Sequence, residues 1–199
     1  MEFSRRRFIG TVAGASAGLI APRSFASPLK GGVGALLPRA MAALNTHASS
    51  IRHHDLIGIV DFGAPSHVPR FHLVDVGTGR VVRSLLVAHG KGSDPANSGW
   101  VARLSNKPGS NASCEGSFVT GESYVGKHGR SRRLIGLEPE NNQAENRGIV
   151  VHAASYVDDR LATTQGRIGR SLGCFAVAPT AIEDVLARLD AGRMLFASR

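Results

Sequence analysis

Short apolar segments alternate with polar and glycine-containing segments along most of the chain, a pattern typical of β-strands joined by tight turns. Apolar and polar positions alternate over residues 70–75, and the turn Gly77-Thr78-Gly79 leads into a hairpin partner over residues 80–88. Further strands are predicted over residues 56–62, 118–122, 132–138, 148–152, 175–177 and 194–196. The pattern therefore predicts a mainly β domain in which neighbouring strands pair antiparallel.

Two segments instead show the spacing of apolar residues that is typical of helices. The first covers residues 36–54, where Pro38 falls in the first turn, a position that tolerates proline. The second is predicted from the sequence Thr180-Ala181-Ile182-Glu183, which has the form of a capping box, and is expected to run to about Asp190 and stop at Gly192. The chain is thus expected to carry a few short helices beside its strands.

The first 26 residues predict an export signal of the twin-arginine type. Arg5, Arg6 and Arg7 precede a weakly apolar stretch, and Ser24-Phe25-Ala26 supplies the small residues that a signal peptidase reads. An uncleaved membrane anchor is the alternative. Residues 27–50 then form a tether and a helix, and residues 51–199 form one domain. A protein exported in this way is periplasmic or associated with the cell wall.

The charge balance bears on the partners of the chain. Twenty-four Lys and Arg residues oppose 15 Asp and Glu residues, a formal net charge of +9. A basic exported protein is attracted to anionic surfaces such as the cell wall. Nucleic acid is not expected as a partner, because the basic residues are scattered and aromatic residues for base stacking are few. No membrane span is expected after residue 26, and the oligomeric state is left open.

One cysteine and one histidine stand in contexts that favour catalysis. His152 ends the apolar strand predicted over residues 148–152, and Cys174 ends the sequence Ser171-Leu172-Gly173-Cys174. A thiol attacks as its thiolate, and a neighbouring imidazole can remove its proton. The alternatives are a buried structural cysteine and a hydrogen-bonded core histidine.

Residues near Cys174 extend this candidate site. The backbone amides of Gly173 and Cys174 are candidate donors to a developing oxyanion. Arg167 and Arg170 lie shortly before the cysteine, where positive charge would favour its thiolate. The group that orients His152 is left open between Asp158 or Asp159 and a backbone carbonyl, which leaves no trace in the sequence.

Two other uses of these side chains are considered and disfavoured. No metal or other cofactor is expected, because the histidines are scattered and the chain has no H-E-x-x-H or C-x-x-C spacing. Cys114 could pair with Cys174 in an exported protein, and such a disulfide would block the proposed thiol chemistry. Because the two local sequences differ so much, packing is the preferred interpretation of Cys114.

His152 followed by Ser171-Leu172-Gly173-Cys174 resembles the L,D-transpeptidase catalytic domain of the YkuD type, and most closely its murein L,D-transpeptidase subgroup. Other stretches agree with that subgroup in the same order along the chain, so the resemblance covers roughly residues 50–197. These stretches are His89-Gly90-Lys91-Gly92-Ser93 and residues 105–110, 120–129, 134–138 and 166–171.

The resemblance implies a β-sandwich or barrel with a cleft in which the cysteine and the histidine face each other. It also implies peptidoglycan stem peptides as substrates. Cys174 would form a thioester with the diamino acid at stem position three and expel the terminal D-alanine, with His152 as the base. An amine acceptor would give a 3–3 crosslink, whereas water would make the protein an L,D-carboxypeptidase. A non-catalytic wall-binding module that keeps the fold is the third possibility.

The chain departs from the commoner motif of the resembled family at two positions. Leu172 stands where that motif has histidine, and Ala176 stands where it has an arginine that holds a substrate carboxylate. Arg167 or Arg170 is expected to replace this arginine. By the same resemblance, Tyr124, Lys127 and His128 are expected to line the cleft and to contact substrate, with a tight turn and one stacked ring as the alternative for this segment.

Overall fold

The computed structural model describes residues 32–199, so the predicted export signal and most of the tether lie outside the described residues. Eight strands form a single sheet in the order β3-β2-β1-β8-β4-β5-β6-β7. The strands are β1 (Leu56–Asp61), β2 (Phe71–Asp75), β3 (Val81–Leu85), β4 (Gly116–Gly126), β5 (Gly129–Gly136), β6 (Val150–Ala153), β7 (Phe175–Val177) and β8 (Met194–Ser198). The predicted strands are confirmed, and β4 with β5 forms a longer hairpin than the pattern indicated.

The sheet is mixed, so the prediction of antiparallel pairing throughout is wrong. β8 runs parallel to β1, and β7 runs parallel to β6. Parallel neighbours require long connections that return to the same edge, which the local pattern of a strand does not reveal. The β6–β7 connection includes a helix, α2 (Asp159–Gln165), which the sequence analysis did not predict.

The two edges of the sheet approach each other, which gives the molecule a barrel-like shape. The Ala88 N–H, shortly after β3, donates to the carbonyl of Ala176 in β7 at 2.8 Å. The rings of Phe62, after β1, and Phe175, in β7, stack with their centroids 5.6 Å apart. All eight strands contribute buried side chains to the main hydrophobic core, β3 only through Leu85 at its end. The predicted mainly β sandwich or barrel with a few short helices is therefore confirmed.

Helix α1 (Val33–Thr46) covers the outer face of the sheet around β1 and β8. Val33, Leu36, Ala40 and Leu44 are its buried residues and follow the spacing of one helix face. Burial of each large aliphatic side chain contributes about 1.5–3 kcal/mol of apolar transfer free energy. The helix starts before the predicted residue 36 and ends well before residue 54. In residues 32–199, no helix has the length and apolar character needed to cross a membrane.

The last helix, α3 (Ile182–Arg188), lies where the sequence predicted one but begins without the expected capping box. Its N-cap is Ala181, and no side chain donates or accepts a cap hydrogen bond there. Glu183 instead pairs with the guanidinium of Arg130 on β5. The helix is therefore set by the burial of Ile182, Val185 and Leu186 rather than by a cap.

Candidate active site

The pairing of β6 with β7 sets the relation between the two candidate catalytic residues. Val151 is opposite Phe175 and His152 is opposite Ala176 in this parallel pair. Since side chains alternate between faces along a strand, Cys174 and His152 lie on the same face of the sheet, two positions apart. Strand spacing and rise place their Cα atoms about 8 Å apart. Both side chains line one cleft of about 510 Å³.

The walls of this cleft carry an excess of basic groups. Four Lys and Arg side chains and two His side chains line it, and no Asp or Glu does so in the described part of the chain. The lining residues are Lys91, Tyr124, Lys127, His128, Arg147, Gly148, Val150, His152, Tyr156, Arg170, Ser171, Leu172 and Cys174. A recess with these walls suits an anionic ligand, because its carboxylates would find cations and hydrogen-bond donors on several sides.

His152 is oriented by the backbone. Its Nδ1 lies 2.8 Å from the carbonyl oxygen of Ala153, so Nδ1 carries the proton and Nε2 is left as the base. The ring is 2% exposed, and burial is the main reason that its pKa lies below the usual value. The imidazole is therefore neutral at neutral pH. Of the groups left open by the sequence, the backbone carbonyl occupies this place, whereas Asp158 caps α2 by accepting the Leu161 N–H at 3.1 Å.

Cys174 is partly buried and holds its thiol in the neutral form. Its Sγ donates to the carbonyl of Gly148 at 3.4 Å. Burial raises the pKa of the thiol, and the backbone amides of Val150 and Cys174 and the charges of Lys127 and Arg147 oppose this increase. The resting site thus pairs a neutral thiol with a neutral imidazole. The leading positive charges that act on the thiol are thus Lys127 and Arg147, not the Arg167 and Arg170 expected from the sequence.

The loop that ends at Cys174 is held by the hydroxyl of Ser171. This oxygen accepts the Gly173 N–H at 3.1 Å and donates to the Cys174 carbonyl at 2.7 Å. Gly173 has a φ of +124°, a conformation that residues with a side chain rarely adopt. Since the Gly173 amide is engaged inside the loop, its predicted role as an oxyanion donor does not fit this arrangement. The Cys174 amide remains as the candidate donor.

The four residues predicted to bind substrate are placed differently. Tyr124 and His128 line the cleft on the β4–β5 hairpin, and the His128 ring stacks on His152 with centroids 4.2 Å apart. Arg170 also lines the cleft, and its guanidinium donates to the carbonyl of Asp94. Arg167 is not brought to the cleft: its Nη1 donates to the carbonyl of Gln165 at 3.4 Å, outside the lining residues.

Arg147 is the cleft residue that sequence reasoning missed. Its Nη1 donates to the Ser105 carbonyl at 2.7 Å and its Nη2 to the Ala112 carbonyl, so its guanidinium is fixed beside the loop that carries Cys174. A Cβ atom placed on Gly173 would lie 3.3 Å from Arg147 Nη2, so the guanidinium is close to this loop. Ala176, where the commoner motif has arginine, is fully buried and supplies no cation at that position. The signal in the sequence was a basic residue directly before the strand that carries His152.

The structure also describes the second cysteine, Cys114, and the arrangement of the side chains that could bind a metal ion. Cys114 and Cys174 are both free thiols, and Cys114 is fully buried, so the packing interpretation of Cys114 is confirmed. Burial raises the pKa of the Cys114 thiol to about 11. Among residues 32–199, no group of three or more His, Cys, Asp or Glu side chains is arranged to hold a metal ion.

Solved structures of L,D-transpeptidases are similar to this chain at low sequence identity. Among solved structures, an L,D-transpeptidase from Mycobacterium smegmatis is 14% identical, with a TM-score of 0.45 over 73% of this chain and 59% of that one. An L,D-transpeptidase from Xylanimonas cellulosilytica is 18% identical, with a TM-score of 0.44 over 81% of this chain and 70% of that one. The chain thus spans 59% of the length of the first of these relatives. No curated protein matches significantly.

The match to a protein family is more extensive than these similarities. A model of the L,D-transpeptidase catalytic domain matches residues 34–198, from the second residue of α1 to the last residue of β8. It includes the cleft with Cys174 and His152. Because the match extends over most of the sequence, the chain belongs to the L,D-transpeptidase catalytic domain family.

Proposed function

We propose that this chain is an exported cysteine L,D-transpeptidase that acts on stem tetrapeptides of peptidoglycan. The observation that carries the proposal is the cleft in which Cys174 and the free Nε2 of His152 lie on one face, under walls that are basic and free of carboxylates in the described residues. A stem tetrapeptide ends in a free carboxylate, which suits these walls. Because peptidoglycan lies outside the cytoplasm, the proposal includes export through the signal predicted in residues 1–26.

The first half of the reaction forms a thioester. His152 Nε2 takes the proton of the Cys174 thiol as Sγ attacks the carbonyl carbon at the L-centre of the diamino acid. The Cys174 N–H donates to the oxyanion of the tetrahedral intermediate. The C–N bond to the terminal D-alanine then breaks, and the imidazolium returns its proton to the leaving amine. This step needs a neutral imidazole at the start, which the buried position of His152 favours.

The second half transfers the acyl group. His152 removes a proton from the side-chain amine of a second stem, which attacks the thioester carbonyl. The new amide bond forms the 3–3 crosslink, the C–S bond breaks, and the sulfur regains its proton from the imidazolium. Water in place of the amine gives a free tripeptide, the L,D-carboxypeptidase outcome.

The proposal is tested by incubating the purified protein with disaccharide-tetrapeptide muropeptides and following the products by mass spectrometry. We expect crosslinked dimers, tripeptides or both from the wild-type protein and none from Cys174→Ala. Cys114→Ala is the matched control, because this second thiol is fully buried and its raised pKa keeps it protonated. It should keep most of the wild-type rate.

The ratio of dimer to tripeptide separates transpeptidase from carboxypeptidase activity. Product formation by Cys174→Ala at the wild-type rate would refute the cysteine mechanism. Absence of product from the wild-type protein, together with retention on purified peptidoglycan in a sedimentation assay, would instead support the wall-binding module.

A further inference from the structure

We propose that Ser113 is a positioning residue for the nucleophile, because its hydroxyl fixes the Gly173–Cys174 peptide so that the Cys174 N–H faces the reacting sulfur. The inference rests on the proposed function of Cys174. Ser113 lies in the loop before β4 and is fully buried. It does not line the cleft, so its action on the reaction would be indirect.

The Ser113 hydroxyl connects two segments that are far apart in the sequence. It accepts the Gly90 N–H at 3.0 Å and donates its proton to the Gly173 carbonyl at 3.0 Å. The backbone of Ser113 is fixed as well, since its N–H donates to Ser93 Oγ at 3.0 Å and its carbonyl accepts the Ser105 N–H at 2.9 Å. The orientation of the hydroxyl is therefore fixed. Its oxygen accepts the Gly90 N–H, so its single proton points to the Gly173 carbonyl.

The bond to the Gly173 carbonyl determines where the next amide points. In a trans peptide the C=O and N–H groups point in opposite directions. With the Gly173 carbonyl directed to the buried Ser113, the Cys174 N–H is directed away from it. The same amide opposes the increase that burial causes in the pKa of the Cys174 thiol. This is the amide left to stabilise an oxyanion, since the Gly173 N–H is bound to Ser171.

A glycine before the nucleophile makes such a restraint necessary. Gly173 at φ +124° allows the close packing of the loop, because a side chain there would come within 2.7 Å of Ile149 and 2.8 Å of the Ala112 carbonyl. Glycine also samples many other conformations at little cost. Without a partner for its carbonyl, the peptide between Gly173 and Cys174 would rotate away from the productive orientation.

The two hydrogen bonds of the Ser113 hydroxyl form a clamp between Gly90 and Gly173. Its Gly90 end lies next to a buried polar network. Arg70 Nη2 lies 2.7 Å from His89 Nδ1, and His89 Nε2 lies 3.4 Å from Asp94 Oδ2. Arg70 and His89 are fully buried and Asp94 is 1% exposed. The His89 carbonyl accepts the Ser171 N–H at 2.9 Å. The segment His89-Gly90 thus binds both Ser113, through the Gly90 N–H, and Ser171 at the start of the nucleophile loop.

Ser113→Ala removes the clamp, and Ser117→Ala is a matched control. Ser117 is also fully buried, but its Oγ has no hydrogen-bond partner among the described residues. The first readout needs no peptidoglycan: the rate of Cys174 alkylation by iodoacetamide against pH, with the modified peptide identified by mass spectrometry. In Ser113→Ala we expect a decrease of about tenfold or more near neutral pH and a midpoint at higher pH, because the thiolate loses its amide donor. Ser117→Ala should match the wild-type protein.

The second readout separates positioning from a general loss of structure. With muropeptide substrate, kcat of Ser113→Ala should fall about tenfold or more while KM stays within about twofold, as expected for loss of an interaction made in the transition state. Urea midpoints of both variants show whether the chain is folded. If Ser113→Ala does not fold, Ser113→Thr decides in its place, because threonine keeps the hydroxyl.

An alkylation profile of folded Ser113→Ala identical to that of Ser117→Ala would overturn the proposal. If the alanine variant does not fold and Ser113→Thr is tested instead, a folded Ser113→Thr whose alkylation rate falls by about tenfold or more would also overturn the proposal. The wild-type rate in Ser113→Thr would support the proposal. Since alkylation is measured without substrate, a wild-type protein that reacts with iodoacetamide but not with muropeptides would refute the proposed function and leave the role of Ser113 decided by its own variants.

Discussion

Arg147 is the residue whose position changes the interpretation of the site most. It lies in the cleft and lowers the pKa of the Cys174 thiol against the effect of burial. Two of its nitrogens also bind carbonyls of residues 105 and 112, so the guanidinium is held in one place. Ala176 stands where the commoner motif has arginine and supplies no charge there. We infer that Arg147 provides the cation that this motif supplies from the strand.

Arg147→Gln should raise KM for a stem tetrapeptide by about tenfold, equivalent to about 1.4 kcal/mol, because the substrate carboxylate loses its charged partner. Arg147→Lys keeps the charge but not the two-carbonyl clamp, and should retain most of the affinity while lowering the urea midpoint. Arg167→Gln is the control outside the cleft and should change KM by less than about twofold. Equal KM values for Arg147→Gln and Arg147→Lys would show that Arg147 acts only by binding the carbonyls of residues 105 and 112 and not as the charged partner of the substrate.

At the scale of elements, the β4–β5 hairpin shields His152. Its turn consists of Lys127 and His128, and the His128 ring stacks on His152 at 4.2 Å with an angle of 21° between the rings. Burial is the main cause of the lowered His152 pKa, and the charges of His128 and Lys127 add to it. The hairpin therefore helps to keep the base neutral in mildly acidic solution.

This arrangement predicts the acid side of the pH profile. The value of kcat/KM should rise with pH as His152 loses its proton, with a midpoint below the usual imidazole value of about 6.5. His128→Ala exposes the His152 ring and should move this midpoint up towards 6.5. His128→Phe keeps an aromatic ring stacked on His152, so its midpoint should stay lower than that of the alanine variant. Identical midpoints in the two variants and the wild-type protein would show that the hairpin does not set the pKa.

The elements also show how far the sequence predicts the fold. Most strands could be found, because alternation of apolar residues is a local signal, and Cys174 and His152 could be found because each ends a recognisable segment. The parallel pairing of β1 with β8 joins residues more than 130 positions apart, and no local pattern encodes it. The same holds for Ser113, whose hydroxyl acts on a carbonyl 60 positions away. The capping box failed since burial of the α3 face, not its cap, determines where that helix starts.

For the molecule as a whole, the barrel-like fold buries ionisable groups that lie outside the cleft. His89 is fully buried between Arg70 and Asp94. Because Arg70 donates to Nδ1, that nitrogen has no proton and Nε2–H faces the Asp94 carboxylate. Burial first, and then the charge of Arg70, lowers the pKa of His89 to about 4. The folded protein thus holds His89 neutral where the unfolded chain would protonate it.

This difference predicts a loss of stability in acid. Between the unfolded pKa of about 6.5 and the folded value of about 4, the unfolded chain binds the extra proton, so the free energy of unfolding should decrease as pH falls through this range. The contribution of His89 alone is roughly 3 kcal/mol when the pH reaches its folded value. His72 and His152, whose pKa values are also lowered by burial, change stability in the same direction.

Urea unfolding at several pH values from neutral to about 4.5 isolates the part due to His89. His89→Gln carries an amide that does not titrate, so it should be less stable at neutral pH but lose clearly less stability on acidification than the wild-type protein. His67→Gln, at an exposed histidine, should keep the wild-type slope. If His89→Gln kept the full wild-type slope, the acid sensitivity would come from other groups. A reduced slope would show that the buried network of Arg70, His89 and Asp94, which also holds the loop that ends at Cys174, limits the stability of the folded state in acid.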